Sequence, residues 1–169
     1  MALPSLVPIG IIHTPHTSTR DMPIQPSGAK GVLGTVDIFP EYQAGLRDLD
    51  GFSHVILIYA FHAAEGFKLE VVPFLDNQPH GVFATRAPRR PNPLGFSVVR
   101  LEAVAEGRLH IANVDILDGT PLLDIKPFVP AFDVPEVTSV GWLETSSEQA
   151  VERRSDDRFG PEPREDHHG

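Results

Sequence analysis

The chain has 169 residues, 41% of them hydrophobic, a length that suits one compact domain with its own core. It contains no cysteine, which excludes disulfides, thiolate zinc sites and a cysteine nucleophile. Its formal net charge of −9 disfavours the long-range attraction of a polyanion such as RNA.

Hydropathy patterning bears on where the protein works. No apolar run approaches the roughly 20 residues that span a bilayer. The start of the chain, MALPSLVPIG, also lacks the charged region and apolar stretch of a signal peptide. We therefore expect a cytoplasmic protein.

Short apolar, β-branched runs between turn residues predict a mainly β protein built on one sheet or barrel. The 17 prolines and 14 glycines favour many turns over long helices. The predicted strands are, in chain order, residues 7–13, 32–39, 54–61, 69–72, 81–85, 97–104 and 109–116.

One short helix is predicted after Pro40, because residues 41–49 place Tyr42, Leu46 and Leu49 on one face at helical spacing. The next predicted strand, residues 54–61, is almost continuously apolar and is expected to be central and buried on both faces.

The predicted domain covers residues 5–143. Residues 144–169 are charged and nearly devoid of core residues beyond Val151 and Phe159. We expect a helix in the first half of this segment and a partly disordered tail after it.

A rigid, exposed loop is predicted within the segment 80–95, because prolines at 88, 91 and 93 fix φ and remove amide donors. The loop carries three arginines, Arg86, Arg89 and Arg90. Guanidinium groups bind carboxylates and phosphates and stack on bases, so an anion site is one interpretation. Salt bridges to the protein's own carboxylates are the alternative.

Three carboxylates, Asp115, Asp118 and Asp124, lie close together in sequence around the end of the strand predicted at 109–116. Such carboxylates can hold ribose hydroxyls, an amine or a metal ion. The Asp118-Gly119 pair is equally typical of a turn in which the side chain bonds nearby backbone. His62, at the end of the buried strand, is either a pocket or proton-carrying residue or a structural histidine. Histidine and carboxylate spacings match no zinc or calcium motif, so no metal is predicted.

Several motifs of unusual composition, in one order, resemble the TrmO family, also called TsaA-like or YaeB-like, over residues 9 to about 143. The motifs are IGIIHTP at 9–15, PIQP at 23–26, YQAGL at 42–46, GFSH at 51–54, FH at 61–62, GVFATR at 81–86, RPNPLGFS at 90–97, DILDGTP at 115–121 and DIKP at 124–127.

The resemblance implies a single β-barrel domain that binds S-adenosylmethionine and generally works as a homodimer. The implied activity is methylation of the exocyclic nitrogen, N6, of threonylcarbamoyladenosine in the anticodon loop of tRNA. Such a transfer mainly requires alignment of the two reactants and removal of a proton, with no metal.

Matching by motif assigns a cofactor pocket to this chain. The implied cofactor-binding residues are Gln25, Pro26, Phe61, His62, Arg86, Leu94, Gly95, Asp115, Ile116, Leu117, Asp118 and Gly119. His62 and Asp118 are the implied catalytic residues. Those expected to bind the substrate are Arg86, Arg89, Arg90 and Asn92.

Two other functions stay open at this point. A methyltransferase of the same fold with a small-molecule acceptor would suit the acidic charge. A non-catalytic S-adenosylmethionine-binding protein that associates with a protein partner would share the pocket.

Overall fold

The computed structural model describes residues 5–144 and 146–159 and has a closed β-barrel at its centre. The described residues contain eight strands, which are, in chain order, β1 (Gly10–His13), β2 (Leu33–Ile38), β3 (His54–Ala60), β4 (Glu70–Val71), β5 (His80–Gly81), β6 (Leu94–Ala105), β7 (Arg108–Ala112) and β8 (Thr120–Pro127). Six of them form the barrel in the order β1-β2-β7-β6-β3-β8, and β4 pairs with β5 beside it. The mainly β barrel expected from the sequence is confirmed.

The barrel interior is filled by alternate residues of each strand, as the two-residue period of a β-strand requires. On β3, for example, Val55, Leu57 and Tyr59 are all 5% exposed or less and belong to the core. The buried core is made up of Ile12, Val36, Ile38, Val55, Leu57, Tyr59, Val99, Leu101, Leu109, Ile111, Val114, Ile116 and Leu122.

Strand β3 lies between β6 and β8, and all its barrel pairings are antiparallel. Its middle residues Val55, Ile56 and Leu57 are buried in succession, so both faces of the strand are covered there. The predicted central strand is therefore present. Its pairing with β6 runs from His54 opposite Arg100 to Ala60 opposite Leu94, which brings the end of β3 beside the start of β6.

Strand β8 was not among the predicted strands. Its sequence, TPLLDIKP, contains two prolines and two charged residues, a composition that favours a loop. In the barrel, Asp124 and Lys126 form an ion pair of 2.8 Å. Pairing with β1 on one side and β3 on the other stabilises the strand despite its composition.

Other local predictions differ from the structure in detail. Of the strand predicted at 81–85, only Gly81 pairs within β5, and Val82–Ala84 forms a 3-10 turn. The helix predicted after Pro40 is a 3-10 helix, Pro40–Leu46, and a second short turn, Leu49–Gly51, follows it. The only α-helical turn in the described part of the chain is α1 (Pro130–Asp133).

The described residues beyond 143 contact residues 22–28 and Pro73, which the sequence did not predict. A 3-10 helix spans Ser147–Val151. The backbone of Ser155 bonds Met22, with Ser155 N donating to Met22 O at 2.9 Å. The last residues of the expected partly disordered tail, 160–169, lie outside the described part of the chain. Across the described residues, no helix has the length and apolar character needed to cross a membrane.

Candidate functional site

A pocket of about 660 Å³ opens at the end of the barrel where β3 ends and β6 and β8 begin. The barrel strands and the segments that directly follow β3 or precede β8 line it with Tyr59, Phe61, His62, Leu94, Gly95, Phe96, Asp115, Ile116, Leu117 and Thr120. These residues come from segments far apart in the chain that the strand pairings bring together.

Three further segments complete the walls. They are the segment that contains Gln25, the arginine loop, and the C-terminal stretch that contains Phe159. Phe74 and Phe83 add aromatic surface between them. An adjoining cavity of about 720 Å³ shares Gln25 and Arg86 with this pocket. The walls combine apolar and aromatic surface with a few polar groups, as small-molecule sites do.

Most of the residues that the resemblance assigns to the site line this pocket. They are Gln25, Phe61, His62, Arg86, Arg90, Asn92, Leu94, Gly95, Asp115, Ile116 and Leu117. Pro26 lines the adjoining cavity instead. Three assigned residues line neither cavity, namely Arg89, Asp118 and Gly119.

Asp115 is a pocket carboxylate that a short chain of hydroxyl groups holds in place. The Ser97 hydroxyl donates to Asp115 Oδ1 at 2.7 Å, and Tyr59 Oη lies 3.0 Å from Ser97 Oγ. Burial raises the pKa of Asp115 to about 6, although the bond from Ser97 and the charge of Arg86 act in the opposite direction. Burial, assisted by the negative charge of Asp115, also raises the pKa of Tyr59. Asp115 can therefore exchange a proton near neutral pH or pair with a cationic group.

Gly95 shapes the pocket because it has no side chain. A Cβ on Gly95 would overlap the ring of Tyr59, its partner across β3 and β6. Only glycine at this position therefore leaves room for the ring, and hence for the hydroxyl chain that reaches Asp115.

The three arginines of the loop have different surroundings. Arg86 is exposed, donates from Nη1 to Gln25 Oε1 at 2.9 Å, and lies 5.9 Å from the centre of the Phe96 ring. Arg90 donates to backbone carbonyls within its own loop, including Thr85 O at 3.0 Å. Arg89 is 6% exposed. Arg86 therefore presents the most accessible guanidinium to a ligand, while Arg90 braces the loop.

The local hydrogen bonds of His62 fix the expected tautomer. Its Nδ1 lies 3.2 Å from Thr120 Oγ1, and the Thr120 hydroxyl donates its proton to Leu117 O at 2.7 Å. Since the hydroxyl proton is used there, Nδ1–H of a neutral ring is the donor to Thr120. Nε2 is then the unprotonated nitrogen, which is able to accept a proton.

Asp118 contacts other parts of the fold and lines neither cavity. Its Oδ1 accepts the backbone N–H of Thr14 at 3.0 Å and lies 3.4 Å from Nδ1 of His13. It thus ties the loop before β8 to the residue after β1, a long-range contact that differs from the local turn bond suggested by the Asp118-Gly119 pair.

Sequence reasoning missed several polar and aromatic residues of the site. The sequence pattern could have indicated Ser97, because it is a polar residue at an inward position of an apolar strand. A buried polar group needs a hydrogen-bond partner. Phe159 is an isolated aromatic residue in a charged segment, a weaker signal. Within residues 5–144 and 146–159, no group of three or more metal-ligating side chains is placed to hold an ion.

Comparison with known proteins adds an independent observation. The profile of the tRNA-methyltransferase O N-terminal domain matches residues 11–134. A probable S-adenosyl-L-methionine-binding protein of Pyrococcus abyssi is 54% identical over 162 residues, covering 94% of this chain and 88% of that protein. The mouse tRNA (adenine(37)-N6)-methyltransferase is 36% identical over 140 residues, covering 79% of this chain and 32% of the mouse enzyme.

Solved structures are similar as well. The crystal structure of TrmO from Pseudomonas aeruginosa matches with a TM-score of 0.70 at 39% identity. The match covers 83% of this chain and 63% of that one. The present chain therefore spans less than two thirds of that TrmO chain and about a third of the mouse enzyme.

Proposed function

Because the chain belongs to the tRNA-methyltransferase O N-terminal domain family, we propose that it is an S-adenosylmethionine-dependent tRNA methyltransferase. The proposed acceptor is N6 of threonylcarbamoyladenosine in the anticodon loop. The observation that carries the proposal is the pocket, which gathers most of the assigned cofactor residues at one end of the barrel.

The residues present suit the cofactor. S-adenosylmethionine supplies an activated methyl group when bound, together with an adenosine, an ammonium and a carboxylate to be recognised. Arg86 offers a fork of donors for a carboxylate, and Asp115 offers an acceptor for a cation or for hydroxyl groups. The pocket volume of about 660 Å³ lies in the usual range for small-molecule sites.

Proton removal is the chemical step that the protein's own side chains can assist. Methylation of a secondary nitrogen releases one proton, and an acceptor placed in the pocket lowers the barrier to its transfer. We assign this role to His62 Nε2, because Nδ1 is committed to Thr120. Asp115 is a second pocket group able to take a proton. Asp118, predicted alongside His62, lines neither cavity, and its proposed contribution is to fix the loop that carries Asp115.

The arginine loop and Asn92 are proposed to meet the acceptor. Asn92 is exposed and lines the pocket beside Arg90. Arg86 lies at the same opening, where it can bind either the cofactor carboxylate or the threonyl carboxylate of the nucleoside. For Arg89 we propose support of the loop rather than direct contact, because its side chain is buried.

A binding titration and a methyl-transfer assay test the proposal. Isothermal titration with S-adenosylmethionine and then S-adenosylhomocysteine is expected to give micromolar affinity for both. Labelled cofactor and tRNA that carries threonylcarbamoyladenosine are then expected to yield labelled N6-methylated nucleoside. Absence of binding at millimolar cofactor would refute the methyltransferase proposal as a whole.

The charge of −9 favours a second candidate, a methyltransferase of the same fold with a small-molecule acceptor. That enzyme would bind the cofactor and leave the tRNA unlabelled, yet would label a small molecule in a cell extract depleted of RNA. A protein that binds the cofactor and labels neither fraction would instead be a non-catalytic S-adenosylmethionine-binding protein.

We also propose a homodimer in the cytoplasm. The segment after β8 supports association, because its residues Phe132, Val134 and Val137 are 82%, 63% and 64% exposed to solvent. Large exposed apolar patches are typical of interfaces, and three exposed apolar side chains within six residues make this segment the proposed contact. Sedimentation equilibrium at micromolar concentration is expected to give twice the chain mass of 18.5 kDa. The proposed tRNA acceptor supports the cytoplasmic location.

A further inference from the structure

The last described part of the chain, residues 154–159, forms a segment that we name the C-terminal clasp. Three of its residues, Ser155, Asp156 and Phe159, line the pocket. The clasp follows the region matched by the family profile, which ends at residue 134, and none of its residues was assigned to the site from the sequence.

One side of the clasp is anchored to the pocket wall that contains Gln25. Met22 N donates to the Ser155 hydroxyl at 2.8 Å, and Ser155 N donates to Met22 O at 2.9 Å. Arg154 forms a backbone bridge with Pro23, and its Nη1 donates to Gly28 O at 3.2 Å. Ser155 is 8% exposed, so its two bonds with Met22 are largely shielded from water, whereas the Arg154–Gly28 bond is exposed.

The other side of the clasp is anchored to the segment that contains Phe74. Arg158 Nη1 donates to Pro73 O at 2.6 Å, and its guanidinium carbon lies 5.2 Å from the centre of the Phe74 ring. The same guanidinium donates to both carboxylate oxygens of Asp156. Arg158 thereby joins the clasp to a second wall and orients a carboxylate at the pocket surface.

Phe159 is fixed by these anchors in an aromatic corner. Its ring lies 5.0 Å from that of Phe74 at an interplanar angle of 84°, an edge-to-face pair. It also packs against the small apolar cluster of Val71, Val82 and Ala87, and it lines both cavities. A partly exposed aromatic ring held rigidly at a pocket surface suits a planar heterocycle.

We infer that the C-terminal clasp is a wall of the ligand site and that the Phe159 ring contacts the adenosine part of the bound cofactor. The inference rests on the proposed function, which supplies the identity of the ligand. It extends the site beyond the motifs of the family into a segment whose composition suggested a tail.

The test is isothermal titration of the full chain and its variants with S-adenosylhomocysteine, a readout that requires no tRNA. Phe159→Ala is expected to bind about tenfold more weakly, the typical loss of one base–aromatic contact. Phe159→Leu keeps an apolar side chain against Val71 and Val82 but lacks the aromatic face, so it is expected to bind several-fold more weakly. Phe159→Tyr is expected to bind within about twofold of the unchanged protein, because it keeps the ring.

Val151→Ala is the matched control, since Val151 is an apolar residue of the same C-terminal stretch, 50% exposed and absent from the pocket lining. Its affinity is expected to be unchanged. Thermal unfolding of each variant separates lost binding from lost folding, and Phe159→Leu decides the question if Phe159→Ala does not fold.

Folded Phe159→Ala or Phe159→Leu protein with undiminished affinity would overturn the inference and leave the proposed function intact. Failure of the unchanged protein to bind the cofactor would remove both together.

Discussion

Arg86 stands at the pocket opening between Gln25 and Phe96, where its guanidinium is accessible. We expect Arg86→Ala to weaken binding of cofactor or acceptor several-fold while the melting temperature stays nearly constant, because an exposed loop side chain contributes little to the core. Titration with S-adenosylhomocysteine and the KM for tRNA together identify the ligand that is affected. Arg100→Ala is the control, since Arg100 pairs with Glu102 on the barrel wall and lies outside the lining of either cavity. Unchanged binding and KM in folded Arg86→Ala protein would exclude this residue from the site.

Asp115 makes stability depend on pH in a direction that can be worked out. Its folded pKa of about 6 lies above the ordinary value of 3.8, so between these values the folded protein binds more protons than the unfolded chain. The free energy of unfolding is therefore expected to fall as pH rises from about 4 to about 6, and to stay lower above that range.

Asp115→Asn replaces the carboxyl by a neutral group that keeps an oxygen for the Ser97 hydroxyl. Thermal unfolding of both proteins between pH 4 and pH 7 is expected to show the variant gaining stability relative to the unchanged protein as pH rises. Cofactor binding by the variant is expected to weaken at pH 7, where the carboxylate is charged. Parallel pH profiles of the two melting temperatures would show that Asp115 titrates normally.

At the scale of elements, the pairing of β3 with β6 builds the floor of the pocket. Gly95 faces the Tyr59 ring across that pairing, and a methyl group there would overlap the ring. Gly95→Ala is therefore expected to lower the free energy of unfolding by about 1–3 kcal/mol, the usual cost of overpacking a core. It is also expected to weaken S-adenosylhomocysteine binding, because displacing Tyr59 disturbs the contact with Ser97 and hence Asp115.

Urea denaturation and cofactor titration measure the two effects. Gly45→Ala serves as the matched control, since a Cβ on Gly45 would meet no atom within 4 Å. If Gly95→Ala matched Gly45→Ala in both measurements, the close approach of Tyr59 would have no energetic consequence.

At the scale of the whole molecule, the charge of −9 has to be reconciled with a polyanionic substrate. If tRNA is the acceptor, its phosphates must meet local cations such as Arg86, and each contact releases counterions. The KM for tRNA is then expected to rise about tenfold between 50 and 200 mM salt, as ~2–3 phosphate contacts would give. S-adenosylhomocysteine affinity is expected to change little over the same range. A KM for tRNA that is independent of salt would contradict phosphate contacts and favour the small-molecule acceptor.

Much of the barrel was predictable from local pattern. Strands β2, β3 and β7 carry the alternating or continuous apolar sequence that burial requires, so the strands predicted there overlap those observed. The composition of β8 favours a loop, and it became a strand because β1 and β3 offered it hydrogen-bonding partners on both sides. Long-range pairing of this kind overrides weak local preference.

For the site, the sequence by itself determined the residue types and the motifs, and through them the family. Only the tertiary structure decided which of those residues share a pocket. Barrel closure brings Gln25, His62 and Asp115 together at one end. Asp118 instead accepts a hydrogen bond from Thr14 N and lines neither cavity. Phe159 joined the site from a charged segment, because hydrogen bonds and ring contacts with distant segments fixed its position. Such contacts depend on how the chain closes in space, and residue spacing along the sequence carries no record of that.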